Sequence, residues 1–520
     1  MLSARILRNS TWNALGYVWL AGVLFLLIPF IVHRIGAEAY GVWTLVLVVT
    51  GYSTLLDFGM GSALVKYVAE YSSSGDPRHV NKVVNNGLLF FLGFALLVVA
   101  LMLPLTGPFV RLFRVPEAMR ESARLAFRIG IGTFALNTIL MVALSVMTGL
   151  QRMDLSNLVK VAMTVPRAVG IVIVLRAGRG LIGLLTVDMA VAVVSIVFAA
   201  LIVRRLLPQL VLGARYLDRE VFRRMFRFGV RLQASSVAEI VNLHLDKLLI
   251  SRFIGVPEVT SYEVGSYVIA RLRTFLAMVP SSLVPAVAEL DAKDDPATVR
   301  RLHLTGSKYV AYAASLAFGM LILTAPHLYR FWMGQGFERS ARTMQILGLG
   351  YYMNVITVVT AYTAQGIGRP GYQMRTAIWQ VVANAVLSPI LILTIGFYGG
   401  PVGTAIALIS GAIFFTVIFL RAMKSNGPVY LARVLGKPVV AVALGAAAVL
   451  AMRAAAPGWM DAADPRGLAF RRWVVEAALF GAIYLGALRV LRYFAREETA
   501  PIRDHLRALV GTRAGFSTGA

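Results

Sequence analysis

The sequence predicts an all-α, polytopic membrane protein with about 14 transmembrane helices. Of its 520 residues 58% are hydrophobic and only 15% are charged, and the mean hydropathy is +0.73. A soluble protein would carry charge on about a quarter of its residues. The apolar residues also occur in runs of about 20, the length of a helix that crosses the hydrocarbon core of a bilayer.

The composition excludes several classes of function. Cysteine is absent, so disulfides and thiolate metal sites are excluded, and the six histidines form no metal-ligand cluster. The net charge of +26 is spread over short connections between apolar runs. This distribution indicates membrane topology and attraction to anionic membrane lipids, not a nucleic-acid partner. No phosphate-binding loop of the GxxxxGK[ST] type occurs, which argues against ATP hydrolysis.

Fourteen apolar runs define the predicted spans. The first follows Arg5 and Arg8 and is too long for the core of a signal peptide. In order, the spans are 12–32, 40–63, 83–104, 125–149, 157–175, 181–203, 228–250, 261–284, 306–326, 342–364, 373–396, 401–420, 435–452 and 472–491.

The distribution of Lys and Arg predicts the orientation. Roughly twice as many basic residues lie on the side of the N-terminus as on the opposite side, so both termini are expected in the cytoplasm. The connection 205–227 is Arg-rich and is expected to form a basic amphipathic linker on the inner leaflet. The tail 496–520 is basic and rich in Gly, Ser and Thr at its end, so we expect cytoplasmic disorder there.

The chain also contains an internal repeat. Gly36 matches Gly255 and Glu70 matches Glu289, each at a spacing of 219 residues, and further matches follow in the same order. The repeat predicts two six-helix lobes, 1–204 and 228–421, with spans 13 and 14 added in 422–495. Because six is even, a pseudo-two-fold axis along the membrane normal would relate the lobes, and a substrate site would lie between them.

The seventh span carries charges that a lipid-facing helix would not tolerate. Arg231, Glu239 and Asp246 fall on one polar stripe, and each is costly at membrane depth, so we expect them to face a central cavity. Asp246 and Lys247 are adjacent and point about 100° apart on a helix, so they should not pair with each other.

Several motifs are similar to those of a known family. They are IGAEAYGVWTLV at Ile35–Val46, LDFGMGSALVKYVAE at Leu56–Glu70, GLQRMDLSN at Gly149–Asn157, LDKLLISRFIG at Leu245–Gly255 and YRFWMGQGFERSARTMQIL at Tyr329–Leu347. With them the chain resembles the polysaccharide biosynthesis family, which includes the O-antigen-type flippases of the multidrug/oligosaccharidyl-lipid/polysaccharide exporter superfamily.

This resemblance implies a secondary transporter, not an enzyme. It implies a two-lobed bundle with a central cavity that moves an undecaprenyl-diphosphate-linked oligosaccharide from the inner to the outer leaflet by alternating access. The resemblance implies coupling to a proton or sodium gradient and no cofactor. Candidate protein partners are a polysaccharide polymerase or glycosyltransferases.

Residue chemistry yields candidate sites for each part of such a substrate. Basic side chains suit the diphosphate, and Arg271, on one helical face with Tyr267, is the favoured member. The candidates for diphosphate binding are Lys66, Arg128, Arg231, Arg271, Arg273 and Arg375. Carboxylates whose burial changes during transport can carry a proton or ligate sodium. The candidates for ion coupling are Asp57, Glu239 and Asp246, and the candidates for sugar contact are Tyr267, Asn354, Thr357 and Gln365.

Two alternatives remain open. A drug or metabolite exporter of the same superfamily would have a smaller, more aromatic and acidic pocket. A membrane glycosyltransferase or polymerase acting on a lipid-linked glycan would carry a sizeable extracytoplasmic loop with clustered acidic or His residues. The longest outer connections here, about 105–124 and 454–471, hold few such residues.

Overall fold

The computed structural model describes residues 2–53, 57–456, 458–459 and 465–494, with side chains for all of these except residues 2–15, 52–53, 231–243 and 279. Within these ranges the chain is helical throughout and contains no strand. Eleven helical stretches are long and apolar enough to cross a membrane. Two of them, Gly16–Gly51 and Gly371–Ala422, each hold two of the predicted spans, and the seventh span lies on a further helix, Arg219–Phe253. The prediction of an all-α, multi-pass membrane protein is therefore confirmed.

The α-helices of the described chain follow one another with short connections. The first nine are α1 (Leu2–Ser53), α2 (Met60–Ser73), α3 (Pro77–Met102), α4 (Thr106–Leu112), α5 (Arg120–Gly149), α6 (Met153–Arg176), α7 (Gly180–Leu206), α8 (Arg219–Phe253) and α9 (Val256–Met278). The others are α10 (Leu283–Ala292), α11 (Pro296–Trp332), α12 (Glu338–Ile356), α13 (Val358–Gly366), α14 (Gly371–Ile395), α15 (Gly399–Ala422), α16 (Gly427–Leu431), α17 (Lys437–Ala455) and α18 (Arg466–Val490).

The chain forms two compact units. The first comprises the described chain up to Arg271 together with Arg342–Leu347 and Met374–Ser410. The second comprises Leu272–Ala341, Gly348–Gln373 and the described residues from Gly411 onward. The division into 1–204, 205–227, 228–421, 422–495 and 496–520 stays a prediction.

The backbone repeats at the spacing seen in the sequence. Gly36 interrupts α1 with φ 82°, and Gly255 separates α8 from α9 with φ 145°, 219 residues later. Asp76 and Asp295 cap α3 and α11, each followed by a proline at the first helical position. Each aspartate accepts a backbone N–H three residues on, which satisfies a donor that the helix itself leaves unpaired.

The helix of the second span is interrupted before α2. Phe58 and Gly59 adopt positive φ angles of 51° and 68°, and the Asp57 carboxylate accepts a 2.9 Å hydrogen bond from the Gly59 N–H. A Cβ atom on Gly59 would lie 2.3 Å from the carbonyl oxygen of Gly229, the first-unit residue packed against it. Only glycine therefore permits α8 to cross the start of α2 at this distance.

Two asparagines fix the connection between α7 and α8. Asn81 on α3 donates to the carbonyl of Gln209 at 3.1 Å and accepts from the N–H of Val211. One turn further along α3, Asn85 donates to the carbonyl of Val211 and accepts from the N–H of Gly213, both at 2.9 Å. The predicted basic linker is thus hydrogen-bonded to α3 through its own backbone.

Within the second unit, α17 and α18 pack against α11. Phe480 and Tyr484 on α18 are fully buried, and a Cβ on Gly319 of α11 would meet the Phe480 ring at 2.8 Å. Glu476, also fully buried, accepts two hydrogen bonds from Arg453 at 2.6 and 2.7 Å. Close packing around small residues and charge-paired polar groups is how helices associate in lipid.

Candidate functional site

A buried carboxylate in the first unit accepts hydrogen bonds from side chains of three other helices. Asp246 on α8 is only 1% exposed. It accepts hydrogen bonds from the Tyr262 hydroxyl at 2.7 Å, the Thr404 hydroxyl at 2.5 Å and the Ser388 hydroxyl at 3.2 Å. The Ser388 hydroxyl also lies within hydrogen-bond distance of the side-chain oxygen of Asn384, so its single hydrogen serves either acceptor. We call these five residues the Asp246 cluster.

The cluster corrects one expectation from the sequence. Asp246 was expected to face a cavity, but its carboxylate lies inside the first unit among α9, α14 and α15. A buried charge needs hydrogen-bond donors, and these three helices supply three hydroxyl groups. The side chains of Arg231 and Glu239, which share its helical stripe, lie outside the described residues.

The helices can reach Asp246 because small residues let them approach closely. A Cβ on Gly403 of α15 would lie 2.4 Å from the Ser388 hydroxyl oxygen. Asn384 and Ser388 lie four residues apart and so share one face of α14. All four partners of Asp246 in the cluster are at least nine-tenths buried. The cluster offers only oxygen atoms, the ligand type that hard cations prefer, together with a carboxylate that can take up a proton.

A second cross-link between α8 and α9 lies next to the cluster. The Lys247 ammonium lies 2.5 Å from a carboxylate oxygen of Glu263. Lys247 is therefore paired with the next helix and not with its neighbour Asp246, as the geometry of a helix predicts. The two pairs, Asp246 with Tyr262 and Lys247 with Glu263, join consecutive residues of α8 to consecutive residues of α9.

Arg271, the favoured diphosphate ligand, lies at the other end of the same face of α9. Its guanidinium carbon lies 5.3 Å from the centre of the Tyr267 ring and 5.9 Å from that of Tyr17 on α1. Tyr267 in turn donates to the carbonyl of Ala21 at 3.0 Å. Arg271 itself is exposed. The two neighbouring tyrosines limit the orientations of the guanidinium.

Two further predicted residues meet in the second unit. The Arg273 side chain donates to the Asn354 side-chain oxygen at 2.8 Å and lies 6.0 Å from the Tyr351 ring centre. Thr357 is buried and its hydroxyl donates to the Asn354 carbonyl at 2.8 Å. Gln365 donates to Gln373 at 2.6 Å on an exposed surface. Arg273 thus has contacts of its own, distinct from those of Arg271.

The remaining predicted residues lie apart from these contacts. The Lys66 ammonium packs over the rings of Tyr67 and Phe228 at 4.5 and 4.4 Å. Arg128 and Arg375 are exposed, and the Asp57 carboxylate accepts a hydrogen bond from the Gly59 N–H just before α2. The roles assigned to these residues remain predictions.

Sequence reasoning identified Asp246 but missed the other members of the cluster. Tyr262, Asn384, Ser388 and Thr404 are neutral, and a neutral polar residue in an apolar span is common enough to attract no notice. The spacing of Asn384 and Ser388 on one face of an otherwise apolar helix was the available signal.

Comparison with known proteins places this arrangement in a family. A Shigella flexneri protein named as an O-antigen transporter is 20% identical over 428 residues, which cover 80% of this chain and 98% of that protein. The solved structure of the lipid II flippase MurJ in an inward closed conformation matches 93% of this chain and 99% of its own, with a TM-score of 0.71 and 13% identity.

A multidrug resistance transporter of the MATE family in an inward-facing conformation matches 80% of this chain and 94% of its own. Its TM-score is 0.65 and its identity 16%, so both structural likenesses concern the fold. Residues 6–291 match the family described as polysaccharide biosynthesis protein. Since that match spans more than half of the sequence, the chain belongs to the polysaccharide biosynthesis protein family.

Proposed function

We propose that the protein is a flippase that moves an undecaprenyl-diphosphate-linked oligosaccharide from the inner to the outer leaflet of a bacterial cytoplasmic membrane. Both termini would lie in the cytoplasm, and transport would proceed by alternating access. The family, the O-antigen transporter among its relatives and the flippase among its structural neighbours support a lipid-linked glycan as the substrate.

The single observation that carries the proposal is the arrangement around Arg271. A diphosphate needs bidentate N–H donors at a defined position, and Arg271 presents an exposed guanidinium within 6 Å of the centres of two tyrosine rings. Neighbouring tyrosine rings also suit the faces of sugars, which combine C–H groups with hydroxyls.

We propose further that a proton or sodium gradient drives transport through the Asp246 cluster. A carboxylate surrounded by hydroxyl and amide oxygens fits either ion, since it can be neutralised by protonation or can join the other oxygens around a sodium ion. Asp246→Asn keeps the size of the side chain and removes its charge. We expect it to abolish the dependence of transport on the gradient while the protein still reaches the membrane.

The proposed function is tested by deletion of the gene. Lipid-linked oligosaccharide should accumulate on the inner leaflet of the deletion strain, and the wild-type chain should restore its display. Continued display outside, in a strain without another exporter of this kind, would contradict the proposal.

The drug exporter is the second candidate, because a MATE transporter shares the fold. A loss of drug resistance in the same deletion strain, with normal glycan display, would favour it.

A further inference from the structure

Helix α9 connects the two charged sites of the first unit. Glu263, Tyr267 and Arg271 are spaced four residues apart and therefore lie on one face of the helix. Tyr262, next to Glu263, donates to Asp246. Helix α9 thus carries Tyr262, a member of the Asp246 cluster, near its start, and the exposed guanidinium of Arg271 about two turns further on.

The link between these sites consists of charged groups that act on each other. Lys247 directly follows Asp246 and forms its 2.5 Å ion pair with Glu263. Glu263 also lies on the same face of α9 as Arg271, two turns before it, so its negative charge acts on the guanidinium through a partly buried environment. The other titratable groups that face this pair are His244 on α8, Tyr40 on α1 and Tyr267 on α9.

The ion pair has no other evident role in the sites described above. Neither Lys247 nor Glu263 belongs to the Asp246 cluster, and Glu263 stands two helical turns from Arg271. Both are nonetheless withdrawn from solvent, with side-chain exposures of 10% and 25%. Charges in such surroundings interact over longer distances than they would in water.

We propose that the Lys247–Glu263 pair consists of positioning residues that couple cation occupancy of the Asp246 cluster to anion binding at Arg271. The proposal rests on the function proposed above and specifies how its two sites communicate. It requires no direct contact between the transported ion and the diphosphate.

Electrostatics explains how the coupling operates. With Asp246 negatively charged, the Lys247 ammonium is attracted by two carboxylates, those of Asp246 and Glu263. When a cation neutralises Asp246, Lys247 is attracted by Glu263 alone. The strength of the electrostatic attraction between Glu263 and Arg271 then changes as well. Because two cross-links join α8 to α9, a shift of Lys247 also moves the helix that carries Arg271.

The test measures coupling instead of transport. Purified full-length protein in lipid nanodiscs is titrated with undecaprenyl diphosphate, with Na⁺ or with choline as the salt at constant ionic strength, and at pH 6 and pH 8. In the wild type, the cation should change the Kd for undecaprenyl diphosphate by about fivefold or more. In the K247M/E263Q double variant, both ligands should still bind, but the Kd should no longer depend on the cation.

The matched control is K82M/D218N. It also neutralises a lysine–carboxylate pair of the first unit, 2.7 Å apart, and Asn remains a good helix cap at position 218. This variant should keep the wild-type coupling factor. Coupling that persists in K247M/E263Q would overturn the inference while leaving the proposed function intact. If the wild type bound undecaprenyl diphosphate with no cation dependence, the inference would fail. If it did not bind the lipid at all, the proposed function would fail with it.

Discussion

In the proposed function, Arg271 is the residue that recognises the diphosphate of the substrate. The rings of Tyr17 and Tyr267 lie within 6 Å of its guanidinium and restrict the orientations of this exposed side chain. Lys carries the same charge but lacks the planar fork that binds two phosphate oxygens and stacks on aromatic rings.

We expect Arg271→Ala to reduce glycan export at least tenfold and Arg271→Lys to restore it only in part, because bidentate contacts to phosphate are lost in both. Export is measured as surface glycan per cell, and the amount of protein in the membrane is measured by immunoblot. Arg176→Ala, which removes an exposed arginine that is not among the candidates for diphosphate binding, is the control. Wild-type export by Arg271→Ala would remove this residue from the site.

Glu476 supports a different kind of prediction, one about stability. Its carboxylate is fully buried and accepts hydrogen bonds from Arg453 and from the Trp459 indole, the latter at 3.0 Å. Removal of one partner of a buried ion pair leaves an uncompensated charge, which costs about 3–5 kcal/mol. We expect Glu476→Gln to lower the free energy of unfolding by about this amount in a denaturant titration of the purified protein.

A double change should behave differently. R453M/E476L removes both charges and replaces them with apolar groups, so it should recover much of the stability lost in Glu476→Gln. Equal loss in the single and double variants would show that the geometry of the pair, not its charge balance, matters.

At the scale of elements, the connection between α7 and α8 is held by side chains of α3. The Asn85 side chain makes two hydrogen bonds with the backbone of this connection, whereas its neighbour Asn86 donates to the Lys82 carbonyl of its own helix. Asn85→Ala should therefore speed amide hydrogen exchange in the segment 209–213, and Asn86→Ala should not. Equal exchange in the two variants would contradict the attachment.

Asp218 makes the same connection sensitive to acid. Its carboxylate accepts a hydrogen bond from Lys82 and another from the Val221 N–H, and both favour the charged form and lower the Asp218 pKa below its ordinary 3.8. A carboxyl with a lowered pKa stabilises the folded state fully above its ordinary pKa, and this contribution is lost as the pH falls through the lower, folded pKa.

We therefore expect attachment of the connection to α3 to be constant from pH 8 to pH 5 and to weaken only in stronger acid. Amide hydrogen exchange of the segment 209–213, corrected at each pH for the intrinsic exchange rate of an unprotected amide, measures it. The D218N variant should lose the acid dependence. Loosening already between pH 7 and pH 5 would indicate another titrating group.

The sequence predicts the helices well but not how they are attached to one another. Every predicted span lies largely on helices, because runs of apolar residues are long and the bilayer fixes their length. The break at Gly59 was also predictable from its glycines. The attachment by Asn81 and Asn85 was not, because hydrogen bonds to a loop more than a hundred residues away leave no periodic signal.

The candidate site shows the same limit at the scale of side chains. Charge identified Asp246, and the face shared by Tyr267 and Arg271 followed from helical spacing. The partners Ser388 and Thr404 come from helices more than 140 residues further along the chain, so their proximity depends on packing that the sequence pattern does not reveal.

At the scale of the whole molecule, the two halves share backbone features but differ in the chemistry of their side chains. Gly36 and Gly255 occupy equivalent places in the repeat, yet Asp246 stands nine residues before Gly255 whereas Leu27 stands nine residues before Gly36. A duplicated scaffold supplies two similar frames, and one of them carries the carboxylate that we propose for ion coupling.

We propose that this chain moves a lipid-linked oligosaccharide across a bilayer. The most direct measurement reconstitutes the purified protein into vesicles that hold undecaprenyl-diphosphate-linked oligosaccharide in the inner leaflet and follows its arrival outside with a membrane-impermeant lectin. The account predicts rapid arrival with the wild type under an imposed proton or sodium gradient, and arrival at the protein-free rate with Arg271→Ala. A wild-type rate equal to that of protein-free vesicles, under either gradient, would contradict it.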